Sequence, residues 1–206
     1  MAKVDFYFDF LSPYSYLATF RLPRLRREFG AEIVFHVVDL DAARSAIGNN
    51  RPPSHTLPRK LRYLKADLGR WAARYRAPLA FPDNLARFDM KAAAKLNRGF
   101  ICAAARGAAE PYLNAAFAAL WAEGREPGDT TLRAVAAKAG LDPDELAAAA
   151  DAPETVAAYA RENLAVQARG VFGVPSFIAG DQLFWGNDRI DFLEEYLRDP
   201  GAAVHP

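Results

Sequence analysis

The strongest pattern in the chain lies near its start, where Val4, Phe6, Tyr7, Phe8 and Phe10 form an apolar, aromatic run broken only by Asp5 and Asp9. A run this short and this apolar predicts a buried strand. Ser12-Pro13 ends it with a capping hydroxyl followed by a proline suited to the first position of a helix. Leu17, Phe20, Leu22, Leu25 and Phe29, set among four arginines, predict one helix over 13–29 that Gly30 stops. Ile33-Val34-Phe35-His36-Val37-Val38 reads as a second buried strand, rich in β-branched residues. Strand, helix and strand joined by a helix-length connection form a βαβ unit with parallel strands and a right-handed crossover.

The pattern then changes period. Gly48-Asn49-Asn50-Arg51-Pro52-Pro53 is a loop by composition, and no further strand signal occurs before Val171. Thr56 is placed to cap a helix with Pro58 in its first turn, along which Leu57, Leu61, Leu64, Leu68, Trp71 and Tyr75 recur at helical spacing. A second helix begins at Pro82-Asp83-Asn84 and runs to Arg106-Gly107. A third covers 110–123, and a fourth opens at Asp129 or Thr130 and closes at Gly140. Asp142-Pro143-Asp144-Glu145 reads as a capping box, and a last helix over 153–169 ends at Gly170. These helices are too apolar and too well capped for a linker. They predict a helical subdomain over 43–150, inserted into an α/β domain formed by 1–42 and 151–206. In that second part, Val171 to Ala179 reads as a strand, Gly180-Asp181-Gln182 as a turn and Leu183-Phe184-Trp185 as its partner strand. Gly186-Asn187-Asp188 then leads into a helix over 189–198. Outside the insertion the order is β-α-β-α-β-β-α, which is thioredoxin-like.

At 206 residues the chain fits one domain carrying an insertion. Lys and Arg (26) nearly balance Asp and Glu (25), so there is no net field to hold DNA or RNA. The start has no basic segment leading into an apolar one, and no stretch of membrane-spanning length occurs, so a soluble cytoplasmic protein without a membrane partner is expected. Cys102 is the single cysteine, which leaves no intramolecular disulfide and no CxxC motif; its apolar neighbours predict a buried structural thiol. His36, His55 and His205 lie far apart with no ligand spacing around them, so neither a metal site nor a histidine-based triad is expected.

Candidate chemistry therefore concentrates at the elbow. Ser12 at a helix N-terminus has unpaired N–H groups nearby, a setting that favours a thiolate, carboxylate or phosphate, although a plain N-cap would read the same. Phe8, Asp9, Phe10, Tyr14 and Tyr16 are candidates to wall a pocket over that helix end.

Several separated motifs make the resemblance specific: Phe8-Asp9-Phe10-Leu11-Ser12-Pro13-Tyr14-Ser15-Tyr16, Asn50-Arg51-Pro52-Pro53, Leu57-Pro58-Arg59-Lys60, Phe81-Pro82-Asp83-Asn84, Phe172-Gly173-Val174-Pro175-Ser176-Phe177, and Phe184-Trp185-Gly186-Asn187-Asp188-Arg189. In order and spacing they resemble the family of bacterial 2-hydroxychromene-2-carboxylate isomerases and kappa-class glutathione transferases. These have a thioredoxin fold with an inserted helical domain, related to periplasmic disulfide oxidoreductases. The redox relatives carry Cys-Pro-x-Cys where this chain has Ser12-Pro13-Tyr14-Ser15, so exchange by the protein's own thiols is excluded.

The resemblance implies that glutathione supplies the sulfur as a cofactor, and that the Ser12 hydroxyl and the helix end favour its thiolate. It implies a cis bond between Val174 and Pro175, with the Val174 backbone pairing with the cysteinyl part of glutathione. Asn187 and Asp188 would meet the γ-glutamyl group. Asn50 and Lys60 would face the glycyl end or the substrate carboxylate, with Asn49 an alternative to Asn50. The implied reaction is a double-bond isomerisation of an aromatic α-keto acid whose rings pack near Phe10, Tyr14 and Trp71. The implied assembly is a homodimer. A transferase or peroxidase using the same thiolate, and a thioredoxin-fold binding protein without catalysis, are the alternatives.

Overall fold

The computed structural model describes residues 1–49, 56–81 and 90–202. The Arg51-Pro52-Pro53 motif and the expected helix start at Pro82 lie outside them. β1 (Lys3–Phe8) pairs in parallel with β2 (Glu32–Val37), as a βαβ unit requires, with Phe6 opposite Phe35. On its other edge β1 pairs antiparallel with β3 (Ser176–Ala179), which pairs antiparallel with β4 (Gln182–Trp185), giving the sheet order β2-β1-β3-β4.

β1 is central and buried from Val4 to Phe8, which explains why its sequence is apolar apart from Asp5, whose carboxylate accepts from Arg169 at 2.8 Å. Val4, Phe6 and Phe8 enter the larger core. Tyr7 points the other way and packs with Val38, Val166, Val171 and Ile178. Rings carry the larger core across the sheet and into the helices: Phe6 stacks on Phe177 at 4.9 Å, Phe8 meets Phe100 edge-on at 5.1 Å, and Phe10 meets Phe117 at 4.9 Å.

The helix expected over 13–29 is two helices, α1 (Pro13–Thr19) and α2 (Leu22–Phe29). Pro23 is the reason: it has no N–H to return to the carbonyl of Thr19, and it disfavours helical geometry at the residue before it. Gly30 ends α2 in a left-handed conformation with φ of 60°. A short helix α3 (Leu40–Ala46), absent from the sequence reading, follows β2 because the Asp39 carboxylate accepts the Ala42 N–H at 3.0 Å.

α4 (Pro58–Tyr75) starts with Leu57 at the cap position instead of Thr56. α5 (Met90–Ala104), α6 (Ala109–Phe117), α7 (Asp129–Lys138), α8 (Pro143–Asp151) and α9 (Pro153–Ala168) follow. The helix expected over 110–123 is α6 continued by a π-helical turn, Ala118–Ala122, which carries the buried Trp121. The Asp142 carboxylate accepts the N–H groups of both Asp144 and Glu145 at 2.9 Å, so α8 is capped from one side. Cys102 is buried, its sulfur 3.6 Å from the Thr155 hydroxyl.

The strand expected from Val171 begins only at Ser176, since Pro175 has no N–H to offer a sheet. The bond between Val174 and Pro175 is cis, as expected. A 3₁₀ turn (Asn187–Arg189) then leads into α10 (Ile190–Arg198). Among the described residues no helix is long and apolar enough to cross a membrane.

Candidate active site

The first turn of α1, the segment before β3 and the turn after β4 converge on one face of α4. The elbow is held by its own backbone: the Asp9 carbonyl accepts the Ser12 N–H at 3.0 Å. Ser12 is the N-cap of α1, its Oγ accepting the Ser15 N–H at 3.1 Å. Pro13 has no N–H and Ser15 donates to the cap, so the Tyr14 N–H is the first-turn donor left to an outside anion. The Ser12 side chain is nearly buried, and with its lone pair occupied by Ser15 its own proton is available to donate.

Beside the elbow a cavity of about 450 Å³ opens between four segments. Tyr14 lines it from α1, Tyr63, Asp67 and Trp71 from α4, and Val174 and Pro175 from the segment before β3. The remaining wall comes from Trp185 to Arg189. Residues 63, 67 and 71 lie four apart and so share one face of α4. Tyr14 Oη donates to Asp67 Oδ2 at 2.7 Å, tying α1 to α4. Burial and that carboxylate push the Tyr14 phenol well above its ordinary range, so it stays a proton donor.

The opposite wall depends on two glycines. A Cβ on Gly173 would lie 2.6 Å from Trp185 Nε1, so only glycine lets the indole rest against this backbone, where it also meets Phe172 edge-on at 4.9 Å. Gly186 has φ of 109°, and a Cβ there would lie 2.3 Å from Asp188 Oδ1. Its N–H donates to the Pro175 carbonyl at 2.8 Å, which joins the two segments of this wall.

Asn187 is 5% exposed, and its Nδ2 has no hydrogen-bond partner, while its carbonyl accepts from Tyr75 Oη at 3.3 Å. A buried amide donor left unpaired costs about 1–3 kcal/mol. Asp188 is exposed, with Oδ2 2.7 Å from the Arg189 guanidinium.

Of the residues expected at a site, Tyr14, Trp71, Val174, Pro175, Asn187 and Asp188 line this cavity. Ser12 lies at the base of the same elbow, buried under it. Lys60 sits on the exposed N-terminal part of α4, one turn before Tyr63, and does not line the cavity. Asn50 lies outside the described residues. Phe10 is corrected: it is fully buried between Phe8, Phe117 and Tyr112, and its carbonyl accepts from Trp121 Nε1 at 2.8 Å, so it belongs to the core. Tyr16 is likewise buried, donating to the Pro78 carbonyl at 2.6 Å. Tyr63, Asp67, Trp185 and Arg189 were not singled out as site residues. Trp185 and Arg189 fall within the Phe184–Arg189 motif, whereas Tyr63 and Asp67 share only a helical spacing with Trp71, which does not by itself mark a site.

The chain matches the family model of the DSBA-like thioredoxin domain over residues 3–198. It is 42% identical over 197 residues to a 2-hydroxychromene-2-carboxylate isomerase of Sphingobium xenophagum, covering 95% of this chain and 98% of that protein. It is 41% identical to a protein of the same name from Pseudomonas putida, covering 94% and 93% of the two chains. A solved structure of a 2-hydroxychromene-2-carboxylate isomerase superposes with a TM-score of 0.86 at 40% identity, covering 95% of this chain and 94% of the other. The four-stranded mixed sheet, the helices packed on it and this match over nearly the whole length show that the chain belongs to the family of DSBA-like thioredoxin domains.

Proposed function

We propose that this protein is a glutathione-dependent isomerase that interconverts 2-hydroxychromene-2-carboxylate, or a similar aromatic α-keto acid, with its ring-opened trans isomer. The observation that carries this reading is a single cavity with two kinds of wall. One wall offers polar groups to a peptide-like cofactor: Val174 beside the cis proline, the unpaired Asn187 amide and the exposed Asp188 carboxylate. The other offers aromatic surface from Tyr14, Tyr63 and Trp71 to a flat substrate. Relatives at about 40% identity that carry the isomerase name support the same conclusion.

Glutathione, when bound, would supply a thiolate nucleophile for reversible addition to the conjugated chain, the chemistry that permits rotation about the former double bond. Ser12 donates its hydroxyl proton toward that sulfur, and Ser15 keeps the Ser12 oxygen oriented by donating to it. Lowering a thiol pKa by about two units takes about 3 kcal/mol. One hydrogen bond to a charged group contributes about 1.5–3 kcal/mol, and a helix N-terminus about 0.3–1 kcal/mol. α1 has only seven residues, but the dipole effect resides in the first turn, so its shortness costs little. Asp188 would meet the γ-glutamyl ammonium, and Asn187 with the N–H groups of the helix start beside it would meet its carboxylate. The protein acts in the cytoplasm as a homodimer.

The test is absorbance-followed interconversion of the two isomers, with and without glutathione. A rate that needs glutathione and consumes none supports the reading. Glutathione consumption in step with turnover indicates a transferase or peroxidase instead, and no rate with any related substrate indicates a binding protein.

A further inference from the structure

A second cleft of about 200 Å³, which shares no lining residue with the aromatic cavity, opens to solvent and is lined by Asp9, Asp39, Asp41, Asn97 and Tyr159 among others. Asp9 differs from its neighbours there. It is only 4% exposed, and both carboxylate oxygens are engaged by backbone: Oδ1 accepts the Leu11 N–H at 2.8 Å and Oδ2 accepts the Leu40 N–H at 3.2 Å. Its carbonyl accepts the Ser12 N–H. One residue therefore holds the turn that ends at Ser12 through two bonds and ties that turn to the start of α3 through a third.

A polar knot backs it. Asn97 of α5 accepts the Phe10 N–H at 3.5 Å and donates to the Val38 carbonyl at 3.4 Å and to the Tyr159 hydroxyl of α9 at 3.0 Å. The charged and titratable groups facing Asp9 are Asp39 and Asp41 from the segment after β2 and Tyr159 from α9, with the neutral Asn97 from α5. Among the described residues lining the cleft there is no cation. The carboxylate is thus held by N–H groups alone, where an isolated buried charge is otherwise disfavoured.

We infer that Asp9 is a positioning residue for the thiolate site: its carboxylate clamps the elbow between β1 and α1 and fixes the direction in which the Ser12 hydroxyl points. The inference rests on the proposed glutathione reading. It adds that the sulfur's protonation depends on a buried group that lines a separate cleft. Burial pushes the Asp9 carboxyl up to about 6, against the pull of the Leu11 and Leu40 N–H groups. Protonation at that pH weakens the acceptors and loosens the clamp.

The test is the ultraviolet thiolate absorbance of protein-bound glutathione against pH, in wild type and Asp9→Asn. The expected result is a thiol midpoint raised by about one pH unit in the variant, which is a tenfold smaller thiolate fraction at pH values below it. An unchanged midpoint in a folded variant that binds glutathione overturns the inference and leaves the proposed function intact. A wild type that binds no glutathione removes both. Amide shifts of the unliganded wild type give a second measurement that does not depend on the variant folding. The N–H signals of Leu11, Leu40, Ser12 and Ser15 are expected to titrate together near pH 6. If Leu11 and Leu40 move while Ser12 and Ser15 stay still, the clamp does not reach the site and the inference fails.

Discussion

Tyr14 and Asp67, which both line the aromatic cavity, are joined by a hydrogen bond of 2.7 Å. The donor sits in the first turn of a seven-residue helix and the acceptor is half-way along α4, so the bond fixes how α1 docks on α4. Tyr14→Phe keeps the ring and removes the bond. It is expected to cost about 1.5–3 kcal/mol of stability, the range for a hydrogen bond to a charged partner, and to raise the KM for the aromatic substrate more than the Kd for glutathione. Urea unfolding and the two binding constants check this; an unchanged unfolding midpoint would show that the pair does not hold the helices together.

Asn187 gives a prediction of opposite character. Its buried Nδ2 has no protein partner, so Asn187→Ala removes an unsatisfied group and is expected to leave unfolding within about 1 kcal/mol of wild type. Glutathione affinity is expected to fall about tenfold or more, since one hydrogen bond to a charged carboxylate is lost. Calorimetric titration reads the affinity. Equal affinity in the two proteins would mean that the amide faces no ligand.

At Gly186 the backbone itself is the constraint. With φ of 109° and Asp188 Oδ1 2.3 Å from a Cβ built there, Gly186→Ala is expected to cost about 1–3 kcal/mol and to displace the Asp188 carboxylate. Weaker glutathione binding should accompany the lower melting temperature. Gly170→Ala, at a helix end with nothing within 4 Å of its Cβ, serves as a control in which stability falls and binding does not.

The buried Asp9 carboxylate also makes stability depend on pH. Its folded pKa, about 6, lies above the ordinary 3.8, so its contribution is present below the lower value and lost as pH rises through the upper one. Relative to Asp9→Asn, wild type is expected to lose up to about 3 kcal/mol between pH 4 and pH 6.5. The difference between the two proteins' unfolding free energies across that range isolates this group. A difference that stays flat, or rises with pH, would contradict a raised pKa.

How much of this was legible in the sequence varied with the range of the interaction concerned. β1, β2 and the helix stops at Gly30, Gly140 and Gly170 depend on local patterning, and the structure has them where the apolar runs and glycines indicate. The break at Pro23 was equally local but was overridden by the apolar spacing around it. α3 escaped because its cap at Asp39 precedes a segment with little apolar periodicity. Phe10 was assigned to the cavity because nothing local distinguishes a ring at the end of a strand that faces the pocket from one that enters the core. Its partners Phe117 and Tyr112 are about a hundred residues away in sequence. Asp67 was missed for the same reason: its place in the cavity follows from α1 docking on α4, a contact that the spacing along α4 alone does not encode. Ser12 was legible as an N-cap, and its Oγ bond to Ser15 bears that out.

The central claim is that the Ser12 elbow holds an external thiol as its thiolate. The most direct measurement is the pH titration of ultraviolet thiolate absorbance for glutathione bound to wild type and to Ser12→Ala. A midpoint about two pH units below that of free glutathione in wild type, rising by at least one unit in Ser12→Ala, is the predicted result. A bound thiol that titrates like free glutathione, or one whose midpoint is the same with and without the serine hydroxyl, would contradict it.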